Sequence, residues 1–464
     1  YGGAIYNDLA TIQSVTGDFI NNSAVSVKDK AEGGAINNND SAFINELKGD
    51  FVGNYVKSTE KHAFGGAVYN DQGDRYSQGG IPVLEGNFLN NYAISEKEKA
   101  FGGGLYTDGL VSDLKGDFIS NYVQTNSGKA QGGAIYVDNE GEITKMVSDF
   151  VGNYAVGISG DANGGAIYNN SVVNVNGSKF TDNYTNSQSG NAYGGAIYNL
   201  VDSSVLKVTV NIYDEYDEDV LLETLGTWYI KERPDSLSVE NAVFSGNKVS
   251  SVSGNAYGGA IYNNDRIYTH EKEEAYLNFY SDSKKADEAK DKYDSIGSAS
   301  PDGMITDADR QVTVVKNSSF VNNSAVSQQG NAKGGAIYTS GNMDIVADNF
   351  ESVFSGNKAN DRQEAIYVDN SKYWTEPTTV TLKTENNGKI IFDDGINGTS
   401  EGYNLVIAGD NTGEIYLNNT VKNANISIDA TKVYLNDGAN LAGSKSLELN
   451  SGILNIANFS NQTV

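Results

Sequence analysis

Four aspartates each stand directly before a repeated phenylalanine. They are Asp18, Asp50, Asp117 and Asp149, and Asn87 takes the same place in another copy. Paired carboxylates carry out glycoside hydrolysis, and a retaining enzyme holds its two about 5 Å apart. Aspartates on neighbouring turns of a stacked β-fold would have that spacing, because adjacent strands lie about 4.8 Å apart. Solvated turn acids at a repeat position explain the same pattern, and we prefer that interpretation to an enzyme.

A glycine pair beside aliphatic residues is the second pattern with chemical meaning, as in GNAYGGAIYNN at 254–264. Glycine-rich loops bind phosphate, but no G-x-x-x-x-G-K-[ST] motif occurs and no helical pattern follows the glycines. A near-copy, GNAYGGAIYNL, occupies 190–200. The glycines therefore indicate a structural repeat, and we expect no cofactor.

Metal and nucleophile chemistry finds little support in the sequence. There are 0 cysteines, and the two histidines, His62 and His270, form no plausible pair. One acidic run could attract Ca²⁺ but lacks the D-x-[DN]-x-[DN]-G loop. That run consists of Asp214, Glu215, Asp217, Glu218 and Asp219. We predict no metal site and no catalytic residue.

Charge excludes two classes of partner. The chain has 33 Lys+Arg against 60 Asp+Glu, a net charge of −27. Such a surface repels nucleic acid phosphates and anionic lipid. No run approaches 18 apolar residues, so we predict no membrane-spanning helix.

Two motifs alternate along most of the chain. Glycine pairs begin at Gly2, Gly33, Gly65, Gly102, Gly132, Gly164, Gly194, Gly258 and Gly334. Phe-x-x-Asn begins at Phe19, Phe51, Phe88, Phe118, Phe150, Phe180, Phe244, Phe320 and Phe354. From each of the first eight phenylalanines the next glycine pair is 14 positions away, whereas the return arc varies from 16 to 62. One fixed arc and one that accepts insertions are typical of a solenoid.

The regular coils, of 30 to 32 residues, are long enough for three short strands. β-Branched residues and alternation favour strands over helices. We therefore predict an all-β, right-handed, single-stranded parallel β-helix, with the hand following the general preference for right-handed parallel connections. The aliphatic residue two places after the second glycine should point inward with the phenylalanine.

The asparagine of Phe-x-x-Asn recurs in every copy and suits a hydrogen-bonded ladder at a corner of the coil. Its members, which we name the asparagine ladder, are Asn22, Asn54, Asn91, Asn121, Asn153, Asn183, Asn247, Asn323 and Asn357.

Domain organisation follows from the same repeats. Residues 1–370 are predicted to form the motif-bearing coils, with two inserted loops on one side at about 201–240 and 265–311. The first insertion resembles a hairpin and the second begins with a helix-compatible charged stretch. Each insertion could instead hide a degenerate coil, although we prefer loops. Residues 371–464 are predicted to continue the β-helix, stem-like, in shorter coils.

The alternation of Gly-Gly-Ala-[Ile/Leu/Val] with Phe-x-x-Asn over residues 1–370 resembles the polymorphic outer-membrane protein family, autotransporters whose passengers act in adhesion. The resemblance implies a passenger displayed on the cell surface and anchored in the outer membrane through a barrel outside these residues. It also implies a non-enzymatic adhesin whose partner is a host-cell surface protein or a glycan. A polysaccharide-active β-helix enzyme and a surface protein that self-associates with like molecules are the alternatives.

Tyrosines form two columns that could contact a partner. One follows the inward aliphatic residue and includes Tyr136, Tyr168, Tyr198 and Tyr262. If the residue before it points in, this one points out. We expect either plain aromatic stacking or a flat ligand-binding face, to which Trp228 and Tyr229 of the first insertion could add. A second column, Tyr55, Tyr92, Tyr122, Tyr154 and Tyr184, follows the asparagine ladder.

Overall fold

The structure is a computed structural model of the chain. It describes residues 1–73, 79–213, 221–231, 236–268, 274–280, 311–370, 376–436 and 438–456. Within 201–236 and 265–280 it describes the course of the backbone only.

One regular coil, residues 132–163, shows the path of the chain. After the glycine pair come Ile135–Val137 and Glu142–Val147, then Phe150–Val151, and finally Tyr154–Gly157 and Ala162–Asn163. The coil thus has five short strands where the sequence predicted three. The difference arises because the fixed 14-residue arc turns back on itself and supplies two strands of its own.

Stacking of the coils makes five sheets, numbered here in the order in which a coil visits them. Sheet 1 contains Ile5–Asp8, Ile36–Asn39, Val68–Asn70, Leu105–Thr107, Ile135–Val137, Ile167–Asn169, Ile197–Tyr213, Ile261–Tyr268, Ile337–Thr339, Arg362–Val368, Gly395–Gly398 and Val421–Lys422. Sheet 2 contains Thr11–Ile12, Val15–Thr16, Phe43–Ile44, Glu46–Lys48, Val83–Glu85, Leu110–Val111, Asp113–Lys115, Glu142–Val147, Val172–Asn176, Ser236–Glu240, Val312–Lys316, Asn342–Asp348, Thr379–Glu385, Tyr403–Gly409, Ala424–Ile428 and Ser446–Leu449. Sheet 3 contains Phe19–Ile20, Phe51–Val52, Phe88–Leu89, Phe118–Ile119, Phe150–Val151, Lys179–Thr181, Val243–Ser245, Ser319–Val321, Glu351–Ser355, Lys389–Phe392, Glu414–Leu417, Lys432–Leu435 and Ile453–Asn455.

The other two sheets come from the fixed arc. Sheet 4 contains Ser23–Ser26, Tyr55–Ser58, Tyr92–Ser95, Tyr122–Thr125, Tyr154–Gly157, Tyr184–Ser187, Lys248–Ser251, Ser324–Ser327 and Lys358–Ala359. Sheet 5 contains Ala31–Glu32, Ala63–Phe64, Ala100–Phe101, Ala130–Gln131, Ala162–Asn163, Ala192–Tyr193, Ala256–Tyr257 and Ala332–Lys333. Equivalent residues of successive coils pair in parallel, and Ile167 pairs directly with Ile197. The protein is a parallel β-helix.

The main core lies between sheets 1, 2 and 3. Phe118 and the other phenylalanines of the motif form one continuous stack from Phe19 to Phe392, with neighbouring ring centroids 4.3–5.1 Å apart. Aliphatic residues of sheets 1 and 2, such as Ile135 and Ile143, surround the stack and are fully buried. Burying each such side chain stabilises the fold by roughly 1.5–3 kcal/mol.

A second, smaller core lies between sheets 4 and 5. It is built almost entirely from alanine and valine, such as Val123 and Ala130. The two sheets therefore form an arm whose faces are held together by small residues. We call this arm, made by the fixed 14-residue arcs of successive coils, the alanine arm.

The asparagine ladder runs along the bend between sheet 3 and the alanine arm. Each Nδ2 donates to Oδ1 of the next member at 2.9–3.1 Å. It also donates to a phenylalanine carbonyl of the preceding coil, as Asn121 does to Phe88 O at 2.7 Å. The ladder ends on Asp394, whose Oδ2 accepts from the backbone N and Nδ2 of Asn357 at 2.8 and 2.9 Å. A carboxylate suits this end because it accepts hydrogen bonds and needs no further acceptor of its own.

Each position of a glycine pair requires glycine for a different steric reason, as Gly132 and Gly133 show. Gly132 has φ +69°, a left-handed conformation that costs a side chain free energy. A Cβ on Gly133 would lie 2.0 Å from the carbonyl oxygen of Gly165 and 2.6 Å from that of Tyr154. The pair is therefore required where the chain leaves the alanine arm and passes close to its backbone.

The first insertion extends sheet 1 beyond the coil. Ile197–Tyr213 pairs antiparallel with Leu221–Lys231 and parallel with Glu274–Tyr280. The expectation that the second insertion begins with a helical stretch is therefore wrong for Glu274–Tyr280. These residues form a strand that pairs with Ile197–Tyr213. Ile197 also pairs directly with Ile261, and Ile261 with Ile337, so neither insertion contains a hidden coil of sheet 1. Residues 281–310 lie outside the described residues, and the loop character of the insertions stays a prediction.

The coils change after the last glycine pair. Arg362–Val368 turns back on Lys358–Ala359 in an antiparallel pair, which closes the alanine arm. From residue 376 the described coils alternate between sheets 1, 2 and 3 only, and Leu405 pairs with Ile426, 21 positions later. We call residues 1–370 the large coils and residues 376–456 the small coils. The domain division drawn from the sequence at residue 370 remains a prediction, as does the hand of the helix.

Candidate functional site

The tyrosine column of sheet 1 is not the exposed face that the sequence suggested. Tyr136, Tyr168 and Tyr262 expose 6%, 7% and 9% of their surface, and Tyr198 is half-buried. Tyr136 lies between the rings of Tyr106 and Tyr168, with centroids at 5.3 and 4.8 Å. The expectation of a flat solvent-facing surface is therefore wrong for these residues. Their ring faces are already used in stacking.

The reason for this burial is the alanine arm. The side chains of sheet 5 that point away from the arm's own core pack against the tyrosines, and Phe101 meets the ring of Tyr136 edge-on at 4.8 Å. Burial raises the pKa of Tyr136 well above its usual value. The hydroxyls instead meet aspartates, and Tyr106 donates to Asp138 Oδ2 at 2.6 Å. This column stabilises the arm against sheet 1.

Trp228 and Tyr229, the other candidate ligand-binding residues, lie in the strand Leu221–Lys231. Their side chains are outside the described part of the structure. The acidic run at 214–219 and His270 also lie outside the described residues.

The second tyrosine column, on sheet 4, faces away from the alanine core. Its rings stack with centroids 4.8–4.9 Å apart and planes within 13°. Each ring is half-buried. Because the ring faces cover one another, solvent meets the ring edges and hydroxyls. Burial and the neighbouring Tyr122 and Tyr184 raise the pKa of Tyr154 to about 12, so its hydroxyl stays protonated and can donate at neutral pH.

Aliphatic residues of sheet 3 lie beside this column. Each follows a buried phenylalanine and so faces outward. Val151 is 37% exposed, and the others are half-buried. We call the two rows together the tyrosine–aliphatic stripe, made of Val52, Tyr55, Leu89, Tyr92, Ile119, Tyr122, Val151, Tyr154 and Tyr184.

The stripe is confined to one half of the large coils. On sheet 4, Tyr184 pairs with Lys248, which pairs with Ser324. On sheet 3, Val151 pairs with Thr181, which pairs with Ser245. The sheet 4 positions in later coils are therefore polar or charged. On sheet 3 the aliphatic row is broken at Thr181 and Ser245 and returns only at Val321, although the fold is unchanged. A feature restricted in this way is not needed for coil stacking.

The aspartates before the phenylalanines form a hydrogen-bonded column. This column lies at the start of the sheet 3 strands, whereas the stripe's tyrosines follow the end of those strands. One side-chain oxygen of each member accepts the backbone N–H of the next coil at 2.8–3.1 Å, as Asp18 does from Asp50 N. The members are Asp18, Asp50, Asn87, Asp117 and Asp149, and the last accepts from Lys179 N. Asn87 fits the column because its side-chain oxygen accepts in the same way. The structural account of these acids explains why they follow the repeat.

A surface groove of about 410 Å³ lies over the first of these acids. Asp18 and Asp50 line it, and so do Lys48, Glu85 and Lys115. Basic residues thus lie beside the acids, which the spacing of the repeat did not indicate. The lysines were missed because they lie at the ends of sheet 2 strands and reach the groove only through the turn at Gly49 and its equivalents. Ion pairs hold both lysines, with Lys48 Nζ 2.6 Å from Glu46 Oε1 and Lys115 Nζ 2.6 Å from Asp113 Oδ2.

The described ranges contain no group of three or more histidine, cysteine, aspartate or glutamate residues arranged to hold a metal ion. His62 accepts a hydrogen bond from Lys99 N at 3.1 Å and packs edge-on against Phe64. Burial lowers its pKa.

Part of the chain matches a known protein family. Residues 317–340 match the family model of the Chlamydia polymorphic membrane protein repeat. The chain carries a polymorphic membrane protein repeat. The matched residues run from the turn before Ser319–Val321, through Asn323 and the alanine arm, to Ile337–Thr339 of sheet 1. The family repeat thus covers the fixed arc that builds the arm.

No curated protein and no solved structure matched the chain. The repeat and the stacked parallel strands together support an outer-membrane type of repeat protein located at the cell surface. No helix of the length and hydropathy needed to cross a membrane occurs in the described parts of the chain.

Proposed function

We propose that the protein is the surface-displayed passenger of a bacterial autotransporter-type adhesin and that it binds by contact, without catalysis. The repeat at 317–340 supports the adhesin family, whose members are generally not enzymes. The partner is a host-cell surface protein or glycan. The outer-membrane barrel that would anchor it is part of this proposal.

The tyrosine–aliphatic stripe is the binding surface that we propose, and the observation that carries it is the restriction of its tyrosine row to five coils. Ring edges with protonated hydroxyls offer hydrogen bonds, and the aliphatic row beside them offers apolar area. Tyrosine is enriched at protein interfaces because one end is apolar and the other hydrogen-bonds. Stacked ring faces favour a protein partner over a sugar, which would lie on an open aromatic face.

The proposed stripe is tested by substituting Tyr92, Tyr122 and Tyr154 with serine in the full chain. We expect binding to a host-protein and glycan array, or to host cells, to fall at least tenfold, since hot-spot aromatics contribute about 2 kcal/mol or more each. The matched control replaces Lys248 and Lys358, which occupy the same column of sheet 4 outside the stripe, with serine. Loss of binding in the control, or unchanged binding in the triple variant with an unaltered circular dichroism spectrum, would exclude the stripe.

The first insertion is the second proposed binding element, because its two paired strands extend sheet 1 beyond the coil and carry Glu274–Tyr280 of the second insertion as a third strand. Loops and extensions on rigid scaffolds commonly carry recognition. Deletion of residues 205–231 tests this and leaves Ser236–Glu240 of sheet 2 in place. Lost binding with intact folding supports the adhesin. A deletion that changes only the sedimentation coefficient supports self-association with like molecules.

A polysaccharide-active enzyme is the second candidate function, and the groove over Asp18 and Asp50 is the observation that favours it. Acids and lysines meet there, which a sugar-cleaving site would need. Incubation with a polysaccharide panel tests it through new reducing ends or unsaturated products. Activity that disappears in Asp50→Asn would establish this function in place of simple contact.

A further inference from the structure

The aromatic stack between sheets 1 and 5 is interrupted near its start by two buried polar residues. Glu32 takes the place that Phe64 takes in the next coil, and Asn37 takes the place of Tyr69. They expose only 1% and 0% of their surface. Burying a carboxyl group and a carboxamide among aromatic rings is costly unless they are partnered.

A lysine completes the cluster. Lys30 Nζ lies 2.6 Å from Glu32 Oε1. Asn37 Nδ2 donates to Glu32 Oε2 at 3.3 Å. The amine of Lys30 and the carboxamide of Asn37 are therefore held side by side on the two oxygens of one carboxyl group.

We propose that Lys30 and Asn37 become joined by an isopeptide bond, with Glu32 as the group that carries the protons. Such a bond links a lysine amine to the side-chain carbonyl carbon of an asparagine. It needs no cofactor and no oxidant.

The electrostatics of the cluster fit the reaction. Burial raises the pKa of Glu32. Burial is the largest single effect and lowers the pKa of Lys30, but the hydrogen bond to Glu32 and the charges of Glu32, Tyr1 and Asp71 together outweigh it, so the net direction is upward. The reaction therefore starts from the ion pair, and the Lys30 ammonium first passes a proton to Glu32. Asn37 Oδ1 is buried without a hydrogen-bond partner among the described residues, so a protonated Glu32 has an acceptor to polarise.

The reaction conserves atoms and charge. The neutral Nζ of Lys30 attacks Cγ of Asn37 while Glu32 donates its proton to the carboxamide, forming the Nζ–Cγ bond. The Cγ–Nδ2 bond then breaks. Glu32 returns to the carboxylate, and Nδ2 leaves as ammonia, which carries away the remaining proton as ammonium. The product is a neutral secondary amide.

The surroundings favour this outcome. Tyr69, only 7% exposed, covers Asn37 from the next coil. Phe64 covers Glu32 from the same side. These rings limit water around Glu32 and Asn37 and strengthen charge–charge interactions there, whereas the Lys30 side chain is 43% exposed. The bond would tie sheet 5 to sheet 1 across the glycine pair at Gly33.

A matched cluster that cannot react lies near the other end of the stack. Asn397 Nδ2 donates to Glu364 Oε2 at 2.6 Å, and Glu364 is 1% exposed. The cation beside it is Arg362, whose Nη2 lies 3.5 Å from Glu364 Oε2. A guanidinium stays protonated and is no nucleophile at neutral pH. Asn397 is thus an internal control for Asn37.

Mass spectrometry of the purified full chain tests the proposal. We expect the wild-type protein to be lighter than its sequence by one ammonia. Trypsin should fail to cleave after Lys30, leaving a peptide of residues 29–48 that carries the deficit and fragments as a loop closed between Lys30 and Asn37. The peptide that contains Asn397 should have its full mass.

Three variants make the test decisive. Lys30→Arg and Glu32→Gln should both restore the full mass, and Asn37→Asp should lose one water instead of ammonia. A succinimide at Asn37 would also lose ammonia, but it would persist in Lys30→Arg and would leave Lys30 open to trypsin. That result, or an unmodified wild-type mass, overturns the proposal. If a variant fails to fold, the mass and fragmentation of the wild-type peptide 29–48 are sufficient to accept or reject the proposal.

Discussion

The large coils and the small coils share one column of stacked residues and differ in almost everything beside it. The phenylalanine stack passes from one region to the other without a break, and the ring centroids of Phe354 and Phe392 lie 4.3 Å apart. The alanine arm ends at Arg362–Val368, and the asparagine ladder ends on Asp394 at the start of the small coils. The small coils wind on sheets 1, 2 and 3 alone.

This difference shows what each kind of interior allows. An aliphatic interior closes a coil through three sheets and needs nothing else. A buried amide row lets the chain bend sharply between sheet 3 and the arm, because it satisfies backbone carbonyls that the bend leaves unpaired. The arm then covers the tyrosines of sheet 1 and leaves those of sheet 4 for contact. The polar ladder is thus the physical condition for the proposed binding stripe.

Removing one ring of the shared stack should have the largest effect. Phe118 is fully buried between rings at 4.5 and 5.1 Å. We expect Phe118→Ala to lower the free energy of unfolding by about 3–5 kcal/mol, because it leaves a cavity. Phe118→Leu should cost less than about 1.5 kcal/mol. Hydrogen exchange should place the loss in the coils next to Phe118, since solenoid repeats couple mainly to neighbours. An equal loss in the small coils would contradict this.

Removing one amide of the ladder should come next and would sharpen the contrast between the regions. Asn121 accepts from the backbone N and Nδ2 of Asn91 at 3.0 and 2.9 Å. Asn121→Ala leaves these donors buried without an acceptor, so we expect a loss of about 2–4 kcal/mol in chemical denaturation. Asn425 in the small coils donates to Asn404 at 3.2 Å but is half-buried. Asn425→Ala should change stability by about 0.5 kcal/mol or less. Similar costs at both sites would remove the proposed role of the ladder.

The pH dependence of the two regions should run in opposite directions. In the large coils, burial and the neighbouring Asp138 raise the pKa of Asp108 to about 7. An aspartate in the unfolded chain has a pKa of about 3.9. The folded state therefore binds the proton more tightly, and stability present below about pH 4 is lost as the pH rises through about 7. Asp71 and Glu140 also raise the pKa of Asp108.

In the small coils the sign is reversed. Hydrogen bonds from the Thr412 side chain and from the backbone N–H groups of Asn386 and Thr412 lower the pKa of Asp410 to about 2. Stability present above about pH 4 is lost as the pH falls through about 2. Measured against wild type, Asp108→Asn should therefore gain about 1–3 kcal/mol of relative stability between pH 4 and 7. Asp410→Asn should gain stability relative to wild type only below about pH 4. Parallel pH profiles for the two variants would be incompatible with these environments.

Much of the large-coil interior was predictable from the sequence. The columns of aliphatic residues, phenylalanines and asparagines repeat at fixed offsets, and residues one coil apart must become neighbours in any solenoid. A second amide row on sheet 1, in which Asn38 donates to Asn70 at 3.0 Å and Asn70 to Thr107 at 3.0 Å, was missed. The asparagine after the tyrosine in Ile-Tyr-Asn repeats often enough to have revealed it.

The exposure of the two tyrosine columns was not predictable in the same way. Alternation along a strand tells which side of its own sheet a residue occupies, and both columns are outward by that rule. Whether a second layer covers that side depends on how the fixed arc folds. The repeat predicted that the arc has a fixed length but not that it folds back into the alanine arm, and so the candidate face at Tyr136, Tyr168 and Tyr262 became the buried one.

By itself, then, the sequence determined the winding of the chain, because repeated spacing and hydrophobic alternation act through local geometry. It determined which residues stack and where polar amides must find partners. Only the tertiary structure decided which aromatic column meets solvent and which lysines join the acids. It also decided that Lys30, Glu32 and Asn37 meet at one carboxyl group. These outcomes depend on the direction in which the arm folds back, and no periodicity in the sequence encodes an angle between layers.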